Sequence, residues 1–170
     1  MTRPTTEQAH LGDLIAHIEQ SHHVFTRSEL ERIAEILDAM KGVSIPVLAE
    51  IELCFAELRA DLIPHLMKEE RILFPYITSL ERDPTHPPSS CFGSIANPIS
   101  IMLIEHTAVI NLLKKLRALT DEYRAAPGSS ASMLKLYTAL AGLDDDLMQH
   151  IHWEDDVLFP RAQQMESGAY

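Results

Sequence analysis

The sequence predicts an all-α protein, an antiparallel up-down four-helix bundle, and three observations carry that prediction. Apolar residues recur at three- and four-residue spacing through four long segments, and no segment alternates with period two over a useful length. Stretches containing proline, glycine and serine separate the four segments. Finally, Asp61 to Pro75, DLIPHLMKEERILFP, returns as Asp146 to Pro160, DLMQHIHWEDDVLFP, 85 positions later (146 − 61). Asp, Leu, His, Glu, Leu, Phe and Pro hold the same slots in both copies, so the chain reads as two helical hairpins.

The first helix is expected from Thr6 to about Met40, with Leu11, Leu14, Ile15, Ile18, Val24, Phe25, Leu30, Ile33, Ile36 and Leu37 recurring at helical spacing. Lys41-Gly42 closes it, because glycine accepts the left-handed conformation of a helix cap. A second helix restarts at Ser44 and Pro46 and runs to about Ile77, with a bend expected before His65 because Pro64 removes a ladder hydrogen bond. Phe74-Pro75 and Phe159-Pro160 read as core residue plus helix stop. Residues 79–97 have no period and form a long connection. Asn97-Pro98 then reads as cap and first helical residue of a third helix ending near Arg124. APGSS, 126–130, turns the chain into a fourth helix from Ala131 to about Gln164. The halves 6–78 and 98–165, joined by the loop 79–97, make a single domain over residues 1–170, a length that supports one sizeable core.

Fourteen Lys and Arg against 25 Asp and Glu give a formal net charge of −11, which argues against nucleic acid and anionic membrane as partners. The opening MTRPTTEQAH has no apolar leader, and no run approaches the roughly 18 apolar residues of a membrane span, so a cytoplasmic location is expected. Cys54 and Cys91 form no C-x-x-C pair and read as reduced, structural residues.

In each repeat a histidine and a glutamate stand at i and i+4, His65 with Glu69 and His150 with Glu154, which puts each pair on one helical face. Both pairs lie within apolar runs, and a buried charge needs a partner or a metal. Pseudo-symmetry asks for one further ligand from each remaining helix. His17, in Leu14-Ile15-Ala16-His17, and His106, in Leu103-Ile104-Glu105-His106, follow the same Leu-Ile-x step. The candidate metal ligands are therefore His17, His65, Glu69, His106, His150 and Glu154. Asp155, five residues after His150, competes with Glu154 for the bridging role. His23 and His152 read as outer or surface residues, and His10 and His86 as solvated. Four imidazoles and two carboxylates exceed what one tetrahedral zinc accepts, and imidazole plus carboxylate suits iron. Two six-coordinate irons offer roughly twelve positions; four histidines, two bridging carboxylates and a bridging oxo or hydroxo leave about two open for a small ligand.

The stretches LIAHIEQSHH, PHLMKEERILFP, NPISIMLIEH, LTDEYR and DLMQHIHWEDDVLFPRA, spread over nearly the whole chain, resemble hemerythrin-type HHE domains. They resemble more closely the di-iron proteins of the repair-of-iron-centres family. The resemblance implies two non-haem irons held by His17, His65, His106 and His150 and bridged by Glu69 and Glu154. It implies binding of nitric oxide or oxygen, and a part in restoring iron–sulfur clusters damaged by nitrosative or oxidative stress, with iron–sulfur proteins as partners. A second implied reading is an oxygen carrier or sensor of the hemerythrin type, which Asp155 on the metal would favour. The 170 residues show no counterpart of the small cysteine-bearing domain that full-length repair proteins carry. Where relatives usually have glycine one turn after the third-helix histidine, this chain has Ile110, which either narrows access to the metal or fills core volume.

Overall fold

The computed structural model describes residues 9–86 and 88–168, so the expected helix start at Thr6 lies outside the described residues. Helix α1 comprises Leu11–His17, a π-helical turn over Ile18–His23, and Val24–Ala39. Helix α2 comprises Pro46–Lys68, a π-turn over Glu69–Leu73, and Phe74–Arg82. Helix α3 is Ala96–Leu119. Helix α4 comprises Ala131–His152, a π-turn over Trp153–Leu158, and Phe159–Glu166. The four form the expected up-down bundle, with α1 packed chiefly on α4 and α2 on α3.

The interior is layered along the bundle axis. One apolar cluster joins Leu30, Ile33, Ile51, Leu58, Leu113 and Leu140 with their neighbours. A second, towards the other end, joins Leu11, Ile18, Phe74, Ile77, Ile99 and Phe159. On every helix the residues between these clusters are buried and polar: His22, His23 and Thr26 on α1, His65 and Glu69 on α2, His106 on α3, His150 and Glu154 on α4. Apolar packing on both sides thus holds a polar belt out of water. Helix α3 is the described helix long and apolar enough, by length and composition, to cross a membrane. Here its stripe of Ile99, Met102, His106, Val109, Leu112, Leu113 and Leu116 is buried in the bundle.

Helix boundaries depart from expectation in four places, each with a local cause. Helices α2 and α4 continue past Pro75 and Pro160, the predicted stops. Each proline follows a π-turn, where the ladder is already interrupted and a missing N–H costs little. Helix α2 runs on through Pro64, as expected. Helix α3 starts at Ala96, before the predicted Asn97 cap, and Asn97 Nδ2 instead donates to the Phe92 carbonyl at 2.8 Å. It ends at Leu119, because Asp121, Glu122 and Tyr123 adopt φ of 49°, 57° and 59°, a left-handed turn that costs roughly 1–2 kcal/mol per residue. That turn lets the Tyr123 hydroxyl donate to Asp144 Oδ2 at 2.6 Å, beside the Arg117 guanidinium that the same carboxylate accepts. Cys54 is buried and Cys91 exposed, and both are free thiols, in agreement with the sequence reading.

Two carboxylates reach across the bundle to helix starts. Glu81 of α2 accepts the Leu11 and Gly12 N–H groups of α1 at 2.6 and 2.9 Å. Glu166 of α4 accepts the Ile95 N–H at 3.0 Å, the Ser94 hydroxyl at 2.7 Å and the Tyr76 hydroxyl at 2.8 Å. Burial pushes the Glu166 carboxyl up, but these donors outweigh it and hold the group below its usual range. Glu166→Ala should therefore lower stability at neutral pH by about 1–3 kcal/mol in urea unfolding. Because the folded pKa lies below the unfolded one, that difference is fully present above the ordinary carboxylate range and closes as pH falls through the folded value.

Candidate metal centre

Two four-residue groups occupy the polar belt. His65, Glu69, His106 and Glu154 form one, and His23, Glu69, His150 and Glu154 the other, each with one nitrogen or oxygen per residue within 4.8 Å of the rest. Glu69 and Glu154 belong to both, and both are wholly buried at 0% exposure. Within the helices the i,i+4 pairing behaves as the sequence predicts, with His65 Nε2 3.3 Å from Glu69 Oε1 and His150 Nε2 3.0 Å from Glu154 Oε1. Across helices, Nε2 atoms of His65 and His106 lie 3.1 Å apart, and those of His23 and His150 3.2 Å apart. Each π-turn begins at, ends at or contains a belt residue, His23, Glu69 or Glu154. The extra residue per turn rotates the chain between the layers, a use of π-turns common at functional sites.

The imidazoles are turned inward by carboxylates on their outer nitrogens. His65 Nδ1 meets Glu105 Oε2 at 2.8 Å, His106 Nδ1 meets Asp155 Oδ1 at 2.7 Å, and His23 Nδ1 meets Glu70 Oε1 at 2.8 Å. Lys68 in turn binds Glu105, and Arg27 grips both oxygens of Glu70 at 2.8 and 2.9 Å. With Nδ1 donating outward, each ring in its neutral form would turn an Nε2 lone pair to the interior, the arrangement that prepares histidine for a metal. Both Glu69 oxygens and Glu154 Oε2 are buried without a hydrogen-bond donor. Orphaned carboxylate oxygens facing imidazole nitrogens, with only histidines ion-paired to Glu69 and Glu154 among the described residues, fit a cation.

His17 is the one sequence-predicted ligand that the structure does not bring to this belt. It is half-buried, with Nδ1 3.3 Å from Ser21 Oγ and its ring edge-on to Trp153. His23, read from the sequence as an outer residue, stands in the α1 position instead, fully buried at 0% exposure. The cause is the register between α1 and α2. His23 is level with Glu70, and Gly12, eleven residues earlier, is level with Glu81, eleven residues later. His17, six residues before His23, therefore sits more than a turn further along the axis, its ring edge-on to His22 at 5.6 Å and outside both groups. From the belt to the connection, α1 uses 16 residues (39 − 23) and α2 uses 24 (70 − 46), so α2 overhangs by eight residues, about 12 Å. A flush hairpin would have brought His17 close to the level of Glu69.

The remaining expectations resolve simply. Asp155 does not enter either group; it serves His106 from outside, leaving Glu154 as the shared carboxylate. His10, His86 and His152 have well-exposed side chains. Ile110 is partly buried and packs against the larger apolar cluster.

Protonation follows the same geometry. Burial, then the neighbouring Glu154 charge, raises the Glu69 carboxyl above its usual range. Burial and the His150 ring draw the His23 imidazole down to about 4. Burial also works against charge on His106, but Asp155 and Glu154 outweigh it and bring the ring up to about 10. One belt thus contains a carboxyl that resists ionisation and an imidazole that resists protonation, the mark of groups competing for one charge.

A family model described as "Hemerythrin HHE cation binding domain" matches residues 13–162. The chain belongs to the hemerythrin family. Among relatives of this hemerythrin domain, an iron-sulfur cluster repair protein DnrN of Neisseria gonorrhoeae is 33% identical over 157 residues, covering 92% of this chain and 94% of the relative. An iron-sulfur cluster repair protein YtfE of Dickeya chrysanthemi is 34% identical over 173 residues, covering 95% of this chain and 72% of the relative. A YtfE of Edwardsiella ictaluri is 33% identical over 162 residues, covering 91% and 67%. These names say what the relatives do, and the hemerythrin domain shared with them is a cation-binding one.

Proposed function

We propose that the chain holds two non-haem irons joined by a bridging oxo or hydroxo, one between His65 and His106 and one between His23 and His150. Glu69 and Glu154 reach both. The single observation behind this reading is that the two groups share both carboxylates, as a pair of bridged metals requires and one isolated ion does not. The donor set, imidazole and carboxylate without thiolate, suits iron. Such a pair offers open positions for a small diatomic molecule, nitric oxide or oxygen. Together with the names of the relatives, this supports a part in iron–sulfur cluster repair under nitrosative or oxidative stress, with damaged iron–sulfur proteins as partners. Asp155 on the metal would favour the oxygen-carrier reading, and the Asp155 bond to His106 Nδ1 counts against it.

The test is to reduce the iron-loaded protein and mix it separately with nitric oxide and with oxygen, following the spectrum. Rapid, stoichiometric nitric oxide binding with irreversible oxidation by oxygen is expected. Reversible oxygen binding without oxidation would favour the carrier instead. Mild acidification is expected to release the iron, because protons compete for the same imidazole and carboxylate lone pairs.

A further inference from the structure

The outer hydrogen bonds follow a rule around the bundle. Each carboxylate adjoins a belt residue on its own helix but serves a histidine on the preceding helix. Glu70 of α2, next to Glu69, serves His23 of α1; Glu105 of α3, next to His106, serves His65 of α2; Asp155 of α4, next to Glu154, serves His106 of α3. Continued once more, the rule calls for a residue of α1 next to His23 to serve His150 of α4. That residue is His22, and it breaks the pattern. Its ring lies flat against His150, with centroids 5.6 Å apart and planes 5° from parallel, and does not stand ahead of Nδ1. His150 Nδ1 is accordingly buried with no partner.

His22 does carry a carboxylate of its own. Its Nδ1 bonds Asp146 Oδ1 at 2.9 Å, and Asp146 Oδ2 is a second buried atom without a partner. Asp146 precedes His150 by four residues, one turn back on α4, so an orphan donor and an orphan acceptor occupy successive turns of one helix face beside the same imidazole. An orphaned buried N–H on a metal-binding histidine is unusual, because the outer nitrogen almost always finds an acceptor. Asp146 also opens the second copy of the repeated stretch. Its counterpart Asp61, one turn before His65, is exposed, and His65 takes Glu105 instead.

We propose that Asp146, clamped by His22, is the fourth positioning carboxylate of the centre, its Oδ2 taking the Nδ1 proton of His150 and aiming Nε2 at the metal. The repeat supplied an aspartate in each half, and the half without a carboxylate from the next helix kept it in use. Asp146 touches neither iron nor ligand in this role; it acts through His150. The inference rests on the di-iron reading above.

The experiment compares wild type, Asp146→Ala, Asp146→Asn and Asp61→Ala, all reduced and iron-loaded. Proton NMR follows the solvent-exchangeable, hyperfine-shifted N–H resonances of the iron-bound imidazoles, and chelator competition follows iron affinity. Asp146→Ala is expected to lose or speed the exchange of one imidazole N–H resonance and to weaken one iron by about 10–100-fold. Asp146→Asn, which keeps an accepting oxygen, should retain that resonance and decides the matter if the alanine variant folds poorly. Asp61→Ala should match wild type. Unchanged resonances and affinity in iron-loaded Asp146→Ala, or the same loss in Asp61→Ala, would overturn the inference and leave the di-iron reading standing. A wild type that takes up no iron pair would overturn that reading, and this inference with it.

Discussion

His23→Ala is expected to strip one of the two proposed irons, while His17→Ala keeps both. His23 supplies one of only two imidazoles in its group, and Glu70 with Arg27 fixes the ring from outside. Losing a direct ligand should weaken that iron by more than the roughly 10–100-fold cost of losing an outer partner. His17, more than a turn before His23 on α1, belongs to neither group. Iron per chain after gel filtration in the presence of a weak chelator separates the two variants. Equal losses would mean that the α1–α2 register described above is wrong.

Glu69→Gln is expected to act in opposite directions on the loaded and the metal-free protein. Loaded, it should lose iron from both positions, because Glu69 belongs to both groups. Metal-free, it should be more stable than wild type at neutral pH by on the order of 1–3 kcal/mol, because the removed charge is one whose burial and repulsion by Glu154 outweigh its pairing with His65. Burial first and the Glu154 charge second raise the Glu69 carboxyl, so ionising it costs folding free energy. The sign follows: with the folded pKa above the unfolded one, the penalty is absent below the ordinary carboxylate range. It grows as pH rises and is complete above the folded value. Thermal melts of the two metal-free proteins should therefore converge in acid and separate towards neutrality. A metal-free Glu69→Gln protein less stable than wild type at neutral pH would contradict the account.

What the sequence made legible was whatever depends on one helix. The pairs His65 with Glu69 and His150 with Glu154 need only the 3.6-residue period, and the repeat showed both. His106 also followed from its position in an apolar stripe. His23 did not, because a ligand's level across a hairpin depends on how far one helix overhangs the other, and six connecting residues permit a flush or a staggered start. That Glu70 and Asp155 pair with histidine or arginine could be read from the sequence, but which partner each takes was hidden for a related reason. Glu70, Glu105 and Asp155 each stand beside a belt residue in sequence, yet each serves a different helix, a relation that exists only once the bundle is closed. The helix ends at Pro75 and Pro160 were misjudged because a π-turn leaves no signature in apolar spacing, although it removes the cost of proline there. One cheap signal was available for His23: among the α1 histidines only the His22-His23 pair precedes buried Thr26, Leu30 and Ile33 in continuous register with the larger apolar cluster.

Mössbauer spectroscopy of the protein loaded with iron-57 decides whether Glu69 and Glu154 join two irons. That arrangement predicts about two irons per chain, both high-spin with nitrogen and oxygen ligands and magnetically coupled in the oxidised state. A single ion per chain, zinc in place of iron, or two irons without magnetic coupling would contradict it.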